Sequence, residues 1–224
     1  MTTPLVVAGA GGFGRETLDV VEAINLAATS PVWELLGVVD DALTELNRER
    51  LAARGAPFLG TIEEFLRDHH EGASYVVGIG SPAVRRRVAA RIDAAGLTPA
   101  TLVHPSATCG AVSVLGPGTV VCAGVTISTN VRIGHHVHLN PNATVGHDTQ
   151  LHDYVSVNPL AGISGDCIIE DAVLVGAGAI VLNGLRVGRG ATLGGAACAV
   201  RDVLPGTTVV GVPARPLEAR PARD

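Results

Sequence analysis

The sequence predicts a two-part chain: an N-terminal α/β unit resembling half of a doubly wound nucleotide fold, then an all-β parallel helix. Three observations carry that reading. From Val103 onward an aliphatic residue returns every six positions for seventeen units without an insertion. Before it, residues 4 to about 100 alternate strand-like and helix-like stretches. Glycine is abundant at 28 residues while aromatics make up 3%, so the core must be packed from small and β-branched side chains. The expected division is 1–100 for the α/β unit, 101–204 for the helix and 205–224 for a C-terminal tail.

In the first unit, Leu5-Val6-Val7-Ala8 reads as a buried strand and Gly9 to Gly14 as a tight loop. Arg15 to Ala28 carries Leu18, Val21 and Ile24 at helical spacing. A strand at Trp33–Asp40, a helix at Ile62–Asp68, a strand at Tyr75–Gly80 and a helix at Pro82–Ala95 follow. Strands alternating with helices imply a small parallel sheet covered on both faces.

In the second unit the first hexad position runs Val103, Cys109, Leu115, Val121, Ile127, Ile133, Leu139 and onward to Leu193 and Ala199; fifteen of the seventeen are Val, Ile or Leu. The fifth position is small or β-branched, as at Ala107, Thr119, Val125 and Ala143, and the second is often glycine, as at Gly110, Gly134 and Gly146. One hexad per side gives a triangular coil of eighteen residues per turn, with Gly or Asn supplying backbone angles that other residues resist. Stacked at the ~4.8 Å strand spacing, five to six turns make a column on the order of 27 Å tall. The pattern resembles the hexapeptide-repeat family. That resemblance implies a left-handed coil, against the usual right-handed crossover, and homotrimers with sites between neighbouring columns.

Composition narrows the function. A net charge of −5 without a basic block argues against nucleic acid and anionic membranes. The opening MTTPLVVAGAGGFG lacks a charged leader and is too short and glycine-rich for a signal peptide or a span, so a cytoplasmic protein is expected. Cys109, Cys122, Cys167 and Cys198 show no CxxC spacing and read as small core residues of a reducing compartment rather than disulfides or metal ligands.

Gly9-Ala10-Gly11-Gly12-Phe13-Gly14 satisfies G-x-G-x-x-G between a strand and a helix, offering backbone amides to a phosphate. Asp40, ending the second strand, is placed to hold a ribose hydroxyl or a base edge, and Gly78-Ile79-Gly80-Ser81 lines the same sheet edge. Gly11, Gly12, Phe13, Asp40 and Gly80 are therefore candidate substrate contacts. Arg85, Arg86 and Arg87 read as a solvated helix face. A dehydrogenase is disfavoured because only half of a doubly wound fold is present, which leaves a nucleotide-linked substrate.

GAGGFGRE, the VVDD strand end, GTIEEF and VHPSA leading into the hexads together resemble the NeuD/PglD-type sugar O- or N-acetyltransferases over nearly the whole chain. The resemblance implies an N-terminal domain that binds a nucleotide-linked amino sugar, a UDP-sugar being favoured, and acetyl-CoA lying along the prism with no metal.

Acyl transfer needs a base near neutrality and donors for the developing oxyanion. Of eight histidines, His147 sits at the third, outward-facing hexad position, with Asp148 next to it and Gly165 one turn above. The glycine leaves space over the ring and exposes its N–H. The resemblance matches His147-Asp148 to the catalytic pair, Asn140 to a contact with the accepting group, and Gly165 to an amide near the thioester. It also assigns Ala177 and Gly195 to the pantetheine groove and Arg215, in Gly211-Val212-Pro213-Ala214-Arg215, to a CoA phosphate. A family histidine on the CoA path is replaced by Ser156. His135, His136 and His138 are expected at solvated corners. A zinc site of the γ-carbonic-anhydrase kind would use His147 and His152, but its third position holds Ala111. A non-catalytic sugar-nucleotide sensor, and N- against O-acetylation, remain open alternatives.

Overall fold

The computed structural model describes residues 2–67 and 72–217; His69, His70 and the end of the expected helix at Asp68 lie outside them. Strand β1 (Thr3–Ala8) pairs in parallel with β2 (Trp33–Val39) on one side. On the other side it pairs with β3 (Ser74–Val77), and β4 (Thr98–Pro99) adds to β3, giving the order β2-β1-β3-β4. Helix α1 (Gly12–Ala27) starts three residues before the expected Arg15, because Gly11 caps it and the glycine loop is its first turn. Helices α2 (Glu45–Ala53), α3 (Ile62–Arg67) and α4 (Pro82–Ala94) complete the unit.

Helix α2 has no counterpart in the sequence reading, since Leu51 is its one buried residue and it carries no apolar stripe. Its signal is the cap, where the Thr44 hydroxyl accepts from the Asn47 amide at 3.3 Å. Helix α3 opens on a capping box: Glu64 accepts from the Thr61 amide at 2.7 Å and Thr61 from the Glu64 amide at 3.2 Å.

From Leu102 to Ala199 the chain winds through seventeen two-residue strands, which fall into three parallel faces. The first face holds Leu102–Val103, Val120–Val121, His138–Leu139, Ser156–Val157, Leu174–Val175 and Thr192–Leu193. The second carries Thr126–Ile127, Thr144–Val145, Gly162–Ile163 and Ile180–Val181, and the third Arg132–Ile133, Gln150–Leu151 and Ile168–Ile169. Every hexad-leading aliphatic from Val121 to Leu193 is at most 4% exposed, and the fifth positions Val125, Val131, Val137 and Ala143 are fully enclosed with them. Each such Val, Leu or Ile side chain is worth about 1.5–3 kcal/mol of burial. Cys109 departs from its expected place in the core: it belongs to the first, open turn and is exposed, while Cys122 and Cys167 are buried and Cys198 is half-buried.

The glycine rationale also needs correction. The left-handed backbone falls at the fourth hexad position, where φ is near +60° at Asn130, Asn142, Asp148 and Asp166, and at Gly118, Gly124, Gly178 and Gly190. The second-position glycines have ordinary φ and a different reason. A Cβ on Gly146 would lie 2.5 Å from the Gly165 nitrogen in the turn above, and one on Gly110 2.6 Å from the Ser128 carbonyl carbon.

The α/β unit sits on the first face. Helix α1, through Leu18 and Val21, shares one core with Leu102, Val120 and the column interior. Outward-pointing residues of that face are accordingly buried (Leu102 0%, Val120 0%, His138 1%, Ser156 1%), whereas Thr126, Thr144 and Ile180 on the second face are exposed. The chain ends in a hairpin: Thr208–Val210 extends the first face and Arg215–Pro216 pairs with it antiparallel.

Candidate active site

His147 stands at the corner between the second and third faces, half-exposed. Asp148 follows it in the left-handed conformation (φ 59°), which carboxylate and amide side chains tolerate, and this turns the carboxylate onto the ring. His147 Nδ1 and Asp148 Oδ2 are 2.8 Å apart, and Asn130, one turn below, donates to Asp148 Oδ1 at 2.7 Å. The hydrogen bonds from Asn130 and His147 hold the Asp148 carboxyl below the usual carboxylate range, so it stays ionised and acceptor-only. An ionised partner fixes the Nδ1–H tautomer and leaves the Nε2 lone pair outward. Gly165 lies against that edge of the ring: a Cβ there would be 2.5 Å from His147 Nε2. Any other residue at 165 would cover the nitrogen.

The other residues expected at the site divide between two corners. Asn140, Ala177 and Gly195 line the corner between the first and second faces, one full side of the prism away from His147, Asp148 and Gly165. Within one chain they do not meet. Asn140 is 7% exposed, and its side-chain amide donates to the Val157 carbonyl at 3.0 Å. Ala177 and Gly195 are exposed and stacked. Arg215 is exposed beside the hairpin and donates to the Ala214 carbonyl, while the Ala214 and Cys198 amides tie the segment to the top of the second face. His152 faces Asp171 at 3.9 Å and not His147. Among the described residues, ligand atoms of His147, Asp148 and Asp166 lie within 4.8 Å of one another, all three side chains being exposed.

A cleft of about 340 Å³ opens at the C-terminal edge of the sheet, lined by Gly9, Asp40, Ile62, Ile79, Val84 and Arg87 among others. Gly9 (φ +118°) and Gly14 are packing glycines, since a Cβ on Gly14 would lie 1.8 Å from the Gly9 oxygen. Gly11 and Gly12 face open space, and Gly11 supplies no capping side chain, so the first-turn amides of α1 stay available. Asp40 is part of the cleft lining. Its two oxygens accept from the Ala10 and Ala42 amides, both at 2.7 Å, and so latch the glycine loop.

The seam between unit and prism corrects four sequence-level expectations. Arg85 is fully buried rather than solvated; Arg86 lies 4.9 Å over the Tyr154 ring, and Arg87 lines the cleft. His136 and His138 are 3% and 1% exposed, whereas His135 is at the surface as expected. Phe13 stacks on His138 with ring centroids 4.3 Å apart, which takes its ring away from the cleft. Ser156 donates to the Gly80 carbonyl at 3.2 Å and accepts from Arg85 at 2.9 Å, so that position is sealed from any ligand path. Burial lowers Arg85 to about 9, burial lowers His136 to about 4, and burial together with the Arg85 charge holds His138 well below the usual imidazole range.

The PglD N-terminal domain family matches residues 4–92. The chain is 33% identical over 218 residues to the GDP-perosamine N-acetyltransferase of Escherichia coli O157:H7, covering 95% of this chain and 96% of the relative. The chain belongs to the NeuD/PglD-type sugar acetyltransferases. The acetyltransferase domain of PglB from Neisseria gonorrhoeae FA1090, solved with acetyl coenzyme A, superposes with a TM-score of 0.85 at 32% identity, covering 97% of this chain and all (100%) of that one. PerB from Caulobacter crescentus, solved with CoA and GDP-perosamine, gives 0.84 at 25% identity over 96% and 97% of the two chains. These likenesses bear out the α/β unit joined to a left-handed β-helix and make the protein an acyltransferase.

Of the residues at these sites, Asn130 and Tyr154 went unmarked in the sequence, while Arg85 and His138 were read as solvated. Asn130 was reachable by counting eighteen back from Asp148. Arg85 gave no signal, because three consecutive arginines read as a solvated helix face.

Proposed function

We propose that this chain transfers the acetyl group of acetyl-CoA to the amino group of a nucleotide-linked amino sugar, with His147 as general base. The observation that carries the reading is the His147–Asp148–Asn130 column beneath Gly165. It presents an imidazole nitrogen with a free lone pair beside the Gly165 backbone N–H, which has no backbone partner among the described residues. In the proposed step the amine attacks the thioester carbonyl while His147 Nε2 takes its proton. The Gly165 N–H donates to the oxyanion, and collapse breaks the C–S bond and expels the CoA thiolate, which takes from His147 the proton that came from the amine. Asp148 supports the transient imidazolium, and no covalent enzyme intermediate forms.

The acceptor is assigned to the α/β unit. The available amides at Gly11 and Gly12 suit a diphosphate, and the cleft at Ile62, Ile79 and Val84 suits a base. GDP-perosamine, in the names of the Escherichia relative and the Caulobacter complex, favours a GDP carrier over the UDP carrier implied by the resemblance. Asn140, Ala177 and Gly195 reach His147 in an assembly where one column's first corner meets the next column's second, so a homotrimer is part of the proposal, as is a cytoplasmic location. No helix among the described residues is long and apolar enough to cross a membrane.

The test is thiol release from acetyl-CoA against a panel of GDP-, UDP- and dTDP-linked amino sugars, with products analysed by mass spectrometry. A mass gain stable to hydroxylamine on one amino sugar is expected, as for an amide. Turnover of hydroxyl-only sugars alone overturns the N-acetyl reading, and nucleotide binding without turnover favours a sensor.

A further inference from the structure

Arg85 is a buried cation whose hydrogen-bond partners among the described residues include no carboxylate. Nε donates to the His136 carbonyl at 2.9 Å, and Nη2 to the Tyr154 carbonyl at 2.7 Å and to Ser156 Oγ at 2.9 Å. Nη1 reaches the Ile79 carbonyl at 2.8 Å, the Gly80 carbonyl at 3.2 Å and His138 Nδ1 at 3.1 Å. Burying a charge against neutral dipoles is a poor way to stabilise a seam, since apolar side chains of similar volume usually do as well or better. What the planar, five-donor fork supplies is direction.

That direction falls on the two loops that flank the nucleotide cleft. One is Ile79–Gly80, held by Nη1 and, through Ser156 Oγ, by a second bond to the Gly80 carbonyl at 3.2 Å. The other is the glycine loop, whose Phe13 ring rests on the His138 imidazole that Arg85 fixes by Nδ1. The prism side of the seam is equally constrained. His136 and Tyr154 stand one turn apart at the fourth hexad position, with its left-handed backbone (φ 52° and 61°), and their rings stack at 5.3 Å at the seam. Both loops therefore rest on one guanidinium anchored to the backbone of the catalytic column.

We infer that Arg85 is the positioning residue of the nucleotide site, setting the glycine loop and the Ile79–Gly80 loop at a fixed height on the prism without touching the ligand. The inference rests on the acetyl-transfer reading for its acceptor, but its primary readout does not depend on turnover.

The experiment is calorimetric binding of GDP, UDP and acetyl-CoA to the full chain and to Arg85→Met, Arg85→Lys and Ser156→Ala. For Arg85→Met, the Kd of whichever nucleotide binds the unaltered protein rises about tenfold or more, while the Kd of acetyl-CoA stays within about twofold. Arg85→Lys recovers part of the loss, because an ammonium can serve one loop but not both. Ser156→Ala shifts nucleotide Kd in the same direction by about two- to fivefold, and it decides the matter if the Arg85 variants do not fold. With a nucleotide sugar that turns over, the same variants raise its KM more than they lower kcat. Folded variants with unchanged nucleotide Kd, or with equal losses for nucleotide and acetyl-CoA, overturn the inference, and so does an unaltered protein that binds neither nucleotide. Nucleotide binding without acetyl transfer refutes the proposed reaction and leaves the Arg85 comparison intact.

Discussion

At the scale of single residues, three side chains form one hydrogen-bond chain at the exposed corner of the prism. His147 owes its tautomer to Asp148, and Asp148 owes its ionised, oriented state to Asn130 as well as to His147. Asp148→Asn keeps the shape but can donate to Nδ1, which favours the wrong tautomer; a kcat loss on the order of 10²-fold or more is expected, with KM for acetyl-CoA little changed. Steady-state kinetics on the two substrates checks this, and an unchanged kcat would remove Asp148 from the mechanism. The His147-Asp148-Gly165 arrangement was legible because a stacked coil converts spacing in eighteens into neighbours. The latch made by Asp40 and the stacking of Phe13 were not legible, for the opposite reason. Their partners, the Ala10 amide and His138, are set by tertiary docking that no local pattern records.

At the scale of elements, the repeat explains which glycines matter. Gly146 is required by the backbone of the turn above, whereas Gly178 (φ +65°) has open space around its missing side chain. Gly146→Ala should destabilise by about 3 kcal/mol through the forced shift of the turn carrying Gly165. Gly178→Ala should cost about 1 kcal/mol, the ordinary penalty of a left-handed alanine. Denaturant unfolding of the two variants separates them, and equal costs would contradict the stacking argument. The strands of the prism were legible almost residue by residue, since a six-residue period leaves one register that buries Val121, Ile127 and Ile133 together. Helix α2 was not, because it is held by its Thr44 cap and one buried leucine rather than by an apolar stripe.

At the scale of the molecule, a parallel sheet and a triangular column share one core through α1 and then meet through a polar seam around Arg85, Tyr75, His136, His138 and Tyr154. The seam carries a pH dependence. His136 is lowered by burial to about 4, with Asp93 and Asp153 opposing the shift and Arg85 and His135 adding to it, and His138 is lowered in the same sense. The unfolded chain therefore binds these protons first as pH falls. Their stabilisation is complete above the ordinary imidazole value near 6.5 and is lost as pH drops toward 4, by an amount on the order of 3 kcal/mol for His136. His136→Asn, which the left-handed backbone tolerates, should flatten the fall in unfolding free energy between pH 7 and pH 4.5, and an unchanged slope would count against a neutral buried imidazole.

Acetyl transfer by a single exposed imidazole is checked by a single-turnover comparison of the unaltered chain with His147→Ala. The protein is held in excess over acetyl-CoA, and the best nucleotide-linked amino sugar from the panel is saturating. Acetylated amino sugar is expected from the unaltered chain and a rate at least about 10²-fold slower from His147→Ala, with acetyl-CoA and nucleotide binding retained in both. A variant that transfers acetyl at close to the original rate would contradict transfer by the imidazole.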